Sequence, residues 1–208
     1  MEIYNQGYYQ RHLVYSGTEK EIKLNEFRRD LLRIGSEKYG RDITTVVDYG
    51  CSHGAFIEAI KGIGEDAVGV DINPFCVAHC VKNGVKALSP DMFSYFYAGA
   101  EISIMTFWDV LEHLPCPSDI LTTFKPSVIC LSMPCLDAWL EVSPNKSPQL
   151  WKHWRPLEHL WNFTLDQLIE FLSIHGYETI YSTFDESKIR TDAVLKDKNI
   201  MSLVAISK

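Results

Sequence analysis

The sequence predicts an α/β protein with a doubly wound, seven-stranded, mostly parallel sheet and an antiparallel edge strand. Three observations predict it. Residues 45–60 read as a β-branched strand, a glycine turn and a helix in immediate succession. Strand-like runs recur at 67–71, 85–88, 101–107 and 127–132, separated by turn or helix-forming segments, the alternation that builds parallel sheets. The last two runs, 177–184 and 200–207, have no helical pattern between them, which makes them antiparallel neighbours at an edge.

At 208 residues, 46% apolar and 23% charged, the chain has the size and composition of one soluble globular domain. The expected layout over 1–208 is an N-terminal cap and helix (1–40), a cofactor-binding half (41–133), a Trp-rich arm (134–163) and a C-terminal half (164–208). A formal charge of −7 speaks against a general nucleic-acid binder, which needs excess Lys and Arg to meet phosphates. No run of eighteen apolar residues is present, and Met1 to Gln6 lacks the basic and apolar segments of a signal peptide. The expectation is a cytoplasmic protein without a membrane partner, monomeric or homodimeric. None of the six cysteines forms C-x-x-C; Cys76-x-x-x-Cys80 with His79 has no second pair to complete a zinc site, and disulfides are not expected.

In chain order, residues 1–20 carry Tyr4, Tyr8, Tyr9, His12 and Tyr15, too aromatic for a disordered tail. They pack on the domain or cover a ligand. Residues 19–39 place Ile22, Leu24, Phe27, Leu31, Leu32 and Ile34 at helical spacing, with Gly35 and Gly40 as stop signals. Thr45-Val-Val then forms the first strand, and Asp48, Gly50 and Gly54 a D-x-G-x-x-x-G turn. Glycine lets backbone approach a ligand, and the free N–H groups of the helix start face it. A dinucleotide fingerprint on Gly50 would need glycine at 52 and glycine or alanine at 55; Ser52 fails and Ala55 fits. An acid two residues before the first glycine suits an amino-bearing, cationic ligand better than a pyrophosphate.

Ala67 to Asp71 is the second strand, ending in an acid 23 residues after Asp48, where a carboxylate can accept both hydroxyls of a ribose. Asn73-Pro74 starts a helix through Lys82. After the third strand, Ser89-Pro-Asp91-Met92 lies where a side chain reaches an adenine. The fourth strand runs into Trp108-Asp-Val-Leu-Glu-His-Leu-Pro115. In open α/β sheets the site lies beyond the carboxyl ends of the strands, and Asp109, Glu112 and His113 cluster there. The fifth strand, Ser127 to Ser132, leads into the arm, whose four tryptophans (139, 151, 154, 161), His153, Arg155, Glu158 and His159 suit a flat or sugar-like substrate or a buried interface. Thr164 and Gln167 form a capping box for a helix ended by Gly176. Residues 185–199 read as a charged, solvated excursion.

Asp48-Tyr-Gly50-Cys-Ser-His-Gly54 resembles the first motif of the class I S-adenosylmethionine-dependent methyltransferases, and Asp109-Val-Leu-Glu112-His113-Leu resembles the fourth-strand motif of the ubiquinone-biosynthesis O-methyltransferases. Glu158-His159-Leu-Trp-Asn-Phe-Thr is similar, more weakly, to methyltransferases found with glycan assembly genes. The resemblance covers roughly 40–208 and implies a Rossmann-like fold, S-adenosylmethionine as cofactor, and methyl transfer to a hydroxyl of a sugar, glycan or phenol. It implies cofactor contacts at Asp48, Tyr49, Gly50, Cys51, Gly54, Phe56, Asp71, Ile72, Asp91, Met92, Trp108 and Asp109. His113, Glu112 and His159 are the implied catalytic residues, with His113 first choice as base. Tyr9, His12, Trp154, Arg155 and His159 are the substrate-binding candidates. In part of that group an E-x-x-E-H binds a divalent ion; Asp109 replaces the first Glu here, so Asp109, Glu112 and His113 are a metal option without independent support. The carboxylates beside His113 are expected to raise its pKa. Two alternatives stand: an NAD(P)-dependent oxidoreductase, disfavoured by Ser52 and by the lack of a Tyr-x-x-x-Lys pair, and a catalytically silent cofactor-binding partner subunit.

Overall fold

The structure, a computed structural model, describes residues 4–14, 16–190 and 198–208. Tyr15 and the side chain of His12, two of the aromatic candidates near the N-terminus, lie outside the described residues.

Seven strands form one sheet: β1 (Thr45–Tyr49), β2 (Asp66–Val70), β3 (Ala87–Leu88), β4 (Ile104–Trp108), β5 (Val128–Pro134), β6 (Tyr177–Thr183) and β7 (Ile200–Ser207), in the order β3-β2-β1-β4-β5-β7-β6. The first five are parallel, and β7 runs antiparallel between β5 and β6, one position in from the edge. Helices fill both faces: α1 (Gln6–Leu13), α2 (Glu19–Tyr39), α3 (Ala55–Ala59), α4 (Pro74–Lys82), α5 (Pro90–Tyr97), α6 (Pro117–Phe124), α7 (Leu136–Val142), α8 (Leu165–Ile174) and α9 (Asp185–Arg190).

The strands split their residues between two cores because successive side chains point to opposite faces. Val46, Ile104, Cys130 and Val204 pack with α2, α3 and α4, whereas Val47, Met105, Ile129 and Leu203 pack with α5, α6 and α8. Both faces of β4 and β5 are therefore buried along their whole length, as a covered parallel sheet requires. Strand order reverses between β1 and β4, and the crevice at their carboxyl ends is where this topology places a ligand.

Local signals explain most elements. Asn73 caps α4 by accepting from Phe75 N (3.0 Å), with Pro74 in the first turn. The Thr164–Gln167 capping box starts α8 as expected. Two readings need correction. Gly35 does not stop α2, which runs on to Tyr39 and ends at Gly40 in the left-handed conformation. Gly35 is instead a packing position: a Cβ there would lie 2.6 Å from Val128 Cγ1, so its absence lets the helix sit on the sheet. The stretch after β6 is also not wholly solvated. It opens with α9, in which Glu186 and Ser187 are buried and Ser187 is bonded to both N and O of Ile200. The short helices α5 and α6 were not anticipated, although each carries a proline in its first turn. No described helix is long and apolar enough to cross a membrane.

Candidate functional site

The glycine turn is held from below. Gly50 N and Cys51 N both donate to Val70 O (2.6 and 3.0 Å), folding the turn over the end of β2. Gly50 and Gly54 have φ of +89° and +85°, and Ser52 shares the left-handed region at +51°. Asp71 is the keystone: its Oδ2 accepts from Ser52 N (2.8 Å) and its Oδ1 from Asn73 N (2.7 Å). Each oxygen keeps a second lone pair, so ribose hydroxyls can still donate to it. Burial raises the Asp71 pKa, and the two backbone N–H groups oppose that. A groove beside it is lined by Ile72, Pro74, Val77 and Ser89, an apolar wall suited to a flat base. Asp91 and Met92 stand exposed at the start of α5.

Asp48 is buried at the end of β1 and accepts from Thr106 Oγ1 at 2.7 Å. Burial pushes its pKa up to about 6, against the pull of that hydrogen bond and of Arg28. Three implied cofactor residues turn out to have packing side chains. Tyr49 lies against Phe93 and Phe107, Cys51 fills the space left by Gly69, and Phe56 meets Trp108 edge-on at 5.2 Å.

Arg28, which sequence reasoning passed over as part of the polar face of α2, lies at the centre of the site. Its guanidinium stacks on the Trp108 ring at 4.9 Å, its Nη2 donates to Glu186 at 3.0 Å, and its buried Nε has no partner among the described residues. Arg190 bonds both Glu186 and Asp109, the latter at 2.5 Å. Asp109 has φ +56° and is taken up by this ionic network.

The metal option is therefore rearranged. The ligating atoms that come within 4.8 Å of one another belong to Glu112, His113 and His159, and Asp109 is not among them. Both Glu112 carboxylate oxygens are buried without a hydrogen-bond partner among the described residues. Burial, then the charge of Asp109, raise its pKa well above the ordinary value. His113 Nδ1 meets Glu158 O at 2.7 Å, which makes Nδ1 the N–H donor and leaves Nε2 free. The expected upward shift of His113 is reversed: burial lowers its pKa, outweighing the Glu158 carbonyl and Asp109. His159 is depressed to about 4, first by burial and then by His113. The rings of His113, His159 and His153 follow one another at 4.7 and 6.0 Å.

Two segments cover this crevice. In α1, Tyr9 Oη meets His79 Nδ1 at 2.7 Å, and just before the helix Asn5 O accepts from Asn73 Nδ2 at 3.2 Å. Tyr4 and Tyr8 both have raised pKa values, through burial first; among the further causes are the charges of Glu158 and Asp71, so this segment faces both the cofactor and the histidine sides. The arm is pinned at the other side. Leu160 N and Trp161 N donate to Glu112 O (2.8 and 3.1 Å), and Trp161 Nε1 to Leu114 O (2.9 Å). The tryptophans divide: Trp139 and Trp151 bury with Ala138 as the arm's own core, while Trp154 and Trp161 are 36% and 42% exposed. Arg155 is exposed and pairs with Glu158 at 3.3 Å.

The sequence matches the family described as a methyltransferase domain over residues 19–182. It is 26% identical over 106 residues to the ubiquinone biosynthesis O-methyltransferase of Methylococcus capsulatus, a match spanning 47% of this chain and 43% of that protein, so less than half the relative's length is covered. The fold is similar to a SAM-dependent methyltransferase from Archaeoglobus fulgidus (TM-score 0.63, 16% identity, 96% of this chain and 99% of that one). It is also similar to the plantazolicin methyltransferase BpumL, solved with SAH (TM-score 0.67, 12% identity, 98% and 91%). With the glycine turn, the acids ending β1 and β2 and the β4 cluster in one crevice, the chain belongs to the methyltransferase domain family, of the class I S-adenosylmethionine-dependent type.

Proposed function

We propose that this chain transfers a methyl group from S-adenosylmethionine to a hydroxyl of a small acceptor, a sugar, glycan or phenol, in the crevice between Asp71 and the Glu112–His113–His159 cluster. The observation that carries the reading is Glu112: a buried carboxylate whose two oxygens have no partner among the described residues, beside two histidines, on the same crevice as the glycine turn. A buried polar group without a partner is costly, and such a group marks a place where a ligand completes the bonding.

The residues present fit both groups. For the cofactor, Asp71 faces a ribose, Asp48 an ammonium, and the unpartnered Nε of Arg28 is a donor for a carboxylate. When bound, S-adenosylmethionine supplies a methyl on a positively charged sulfur. For a divalent ion, Glu112, His113 through Nε2, and His159 are the ligand set, with Glu158 O orienting His113. Such an ion supplies polarisation of the acceptor oxygen. The chain's own part is to align acceptor and methyl and to exclude water, with Trp154 and Trp161 offering apolar faces at the rim. Without an ion, neutral His113 or His159 acts as the base. The ubiquinone and plantazolicin enzymes are named for unlike acceptors, so the acceptor class rests on the arm.

Titration calorimetry with S-adenosylmethionine, followed by a screen of sugars and phenols with radiolabelled cofactor, tests the reading. Binding plus turnover that EDTA abolishes and Mg²⁺ restores is expected, with His159→Ala inactive. Binding without turnover on any acceptor identifies the silent partner subunit instead. Removing residues 1–14 should lower turnover more than cofactor affinity.

A further inference from the structure

The two histidines of the cluster are held by different means. His113 donates through Nδ1 to Glu158 O at 2.7 Å, a bond that fixes both the tautomer and the plane of its ring. His159 has a fixed main chain, its N donating to Arg155 O at 2.7 Å, and a buried side chain. Yet among the described residues neither of its ring nitrogens takes part in a hydrogen bond. The torsion that turns an imidazole has broad minima, so the plane of this ring must be set by packing. Two rings supply it. His113 stands edge-on at 4.7 Å and 88°, and His153 lies almost parallel at 6.0 Å and 15°, both within the range of favourable ring pairs. His153 is itself fixed twice. Its ring meets that of Trp151, buried in the arm's own core, at 5.2 Å. Its Nε2 lies 3.1 Å from Asn199 Oδ1, and because an amide oxygen only accepts, Nε2 carries the proton. Asn199 is buried and set by the sheet: its carbonyl accepts from Cys135 N at 2.9 Å, just past the Pro134–Ile200 pair that joins β5 to β7. A chain of contacts thus runs from the sheet through Asn199 and His153 to His159.

We propose that His153 is a positioning residue: its ring, anchored by Asn199, holds the plane of His159 so that this imidazole stays turned toward Glu112 and His113. In that orientation a His159 nitrogen lies within 4.8 Å of the ligating atoms of both. The inference rests on the reading of Glu112, His113 and His159 as the reactive cluster and adds the residue that keeps it assembled. A flat face limits the tilt of a ring while leaving both its nitrogens unoccupied, which a hydrogen bond would not. His159 therefore keeps two nitrogens for an ion or an acceptor proton, whereas His113 has only Nε2.

The test uses the full chain and two readouts. One is the affinity for Co²⁺, followed by its absorption spectrum. The other is the nuclear Overhauser effect between the His113 and His159 ring protons in the ion-free protein, with histidine selectively ¹³C-labelled. His153→Ala should weaken Co²⁺ by about ten- to a hundredfold, the usual cost of losing a group that orients a ligand, and should weaken the ring-to-ring signal. His153→Phe and Asn199→Ala each keep a flat face but lose its anchor, and should fall between the parent and His153→Ala in both readouts. In a His159→Ala chain there is no ring left to orient, so adding His153→Ala should lower Co²⁺ affinity no further. S-adenosylhomocysteine should bind all these variants equally, which separates a local change from general loosening. A ring-to-ring signal that survives intact in His153→Ala, or an equal loss of Co²⁺ affinity with and without His159, overturns the proposal. If His153→Ala does not fold, His153→Phe and Asn199→Ala decide by the same criteria. A parent chain that binds S-adenosylhomocysteine but no Co²⁺ ends the metal reading alone, and the ring-to-ring signal then decides the role of His153.

Discussion

Arg28 and Glu186, 158 positions apart in sequence, meet at 3.0 Å inside the protein and tie α2 to α9. Burial alone would raise the Glu186 carboxyl, but Arg190 and Arg28 more than offset this and bring it to about 2. Its folded pKa is thus depressed below the ordinary 4.5. The associated stability is complete above that value and is lost as pH falls toward about 2. Glu186→Leu should destabilise by about 3–5 kcal/mol, because two arginines lose their shared partner in the interior. Urea unfolding at neutral pH measures this, and the difference from the parent protein should shrink in acid.

Asp48 behaves in the opposite sense. Its folded pKa is raised from 3.8 to about 6 by burial, so its contribution is most favourable below the unfolded value and is lost as pH rises through about 6. At neutral pH the ionised carboxylate costs of order 2–3 kcal/mol. Asp48→Asn should therefore be more stable than the parent above about pH 6 and should bind S-adenosylmethionine more weakly. Thermal unfolding across pH, paired with calorimetry, checks both halves. A variant that loses stability at neutral pH would show that ionised Asp48 is already compensated without cofactor.

Gly50 serves the protein's own packing as well as any ligand. At φ +89°, a Cβ there would lie 2.2 Å from Val110 Cγ2. Gly50→Ala should destabilise the fold by about 1–3 kcal/mol from backbone strain, and more from the clash. Adding Val110→Ala should recover the clash but not the strain. Denaturation of the single and double variants separates the two, so lost cofactor affinity in Gly50→Ala alone is ambiguous.

Gly35 gives a contest of magnitudes. Helix propensity favours Gly→Ala by about 1 kcal/mol. Here the added carbon would sit 2.6 Å from Val128 Cγ1 and 3.2 Å from Val204 Cγ1, and overpacking of a core costs about 1–3 kcal/mol. Gly35→Ala should be net destabilising, and Val128→Ala in the same chain should reverse the sign. Urea midpoints of Gly35→Ala against the parent, and of the double variant against Val128→Ala, are the measurement.

The parts that sequence exposed were local. Strand, turn and helix around Asp48 to Ala55 follow from β-branching and glycine, and Asp71 follows from strand length. The Thr164 capping box is readable from four residues. What stayed hidden depends on burial or on contacts between distant segments. Gly35 looks like a helix end until the sheet beneath it is known. Residues 185–190 look solvated because their charges are satisfied by Arg28 far upstream. The neighbours of His113 suggested a raised pKa, yet desolvation decides the sign and sequence does not report it. Likewise, adjacency made Asp109 a partner of Glu112, while the fold gave it to Arg190 and brought His159 in from the arm.

The Glu112 carbonyl, which receives both Leu160 N and Trp161 N, works as a rivet. Because it uses only main-chain atoms, it fastens the arm to the cluster whatever side chains stand at 160 and 161. Together with the Leu136 N to Phe163 O bond at the base (2.9 Å), it closes the arm at both ends with main-chain bonds. His159, the residue just before the Glu112 fixing, is thereby held in registry with Glu112. The arm's side chains are thus free to vary at 160 and 161 without loosening its attachment to the turn that carries Glu112.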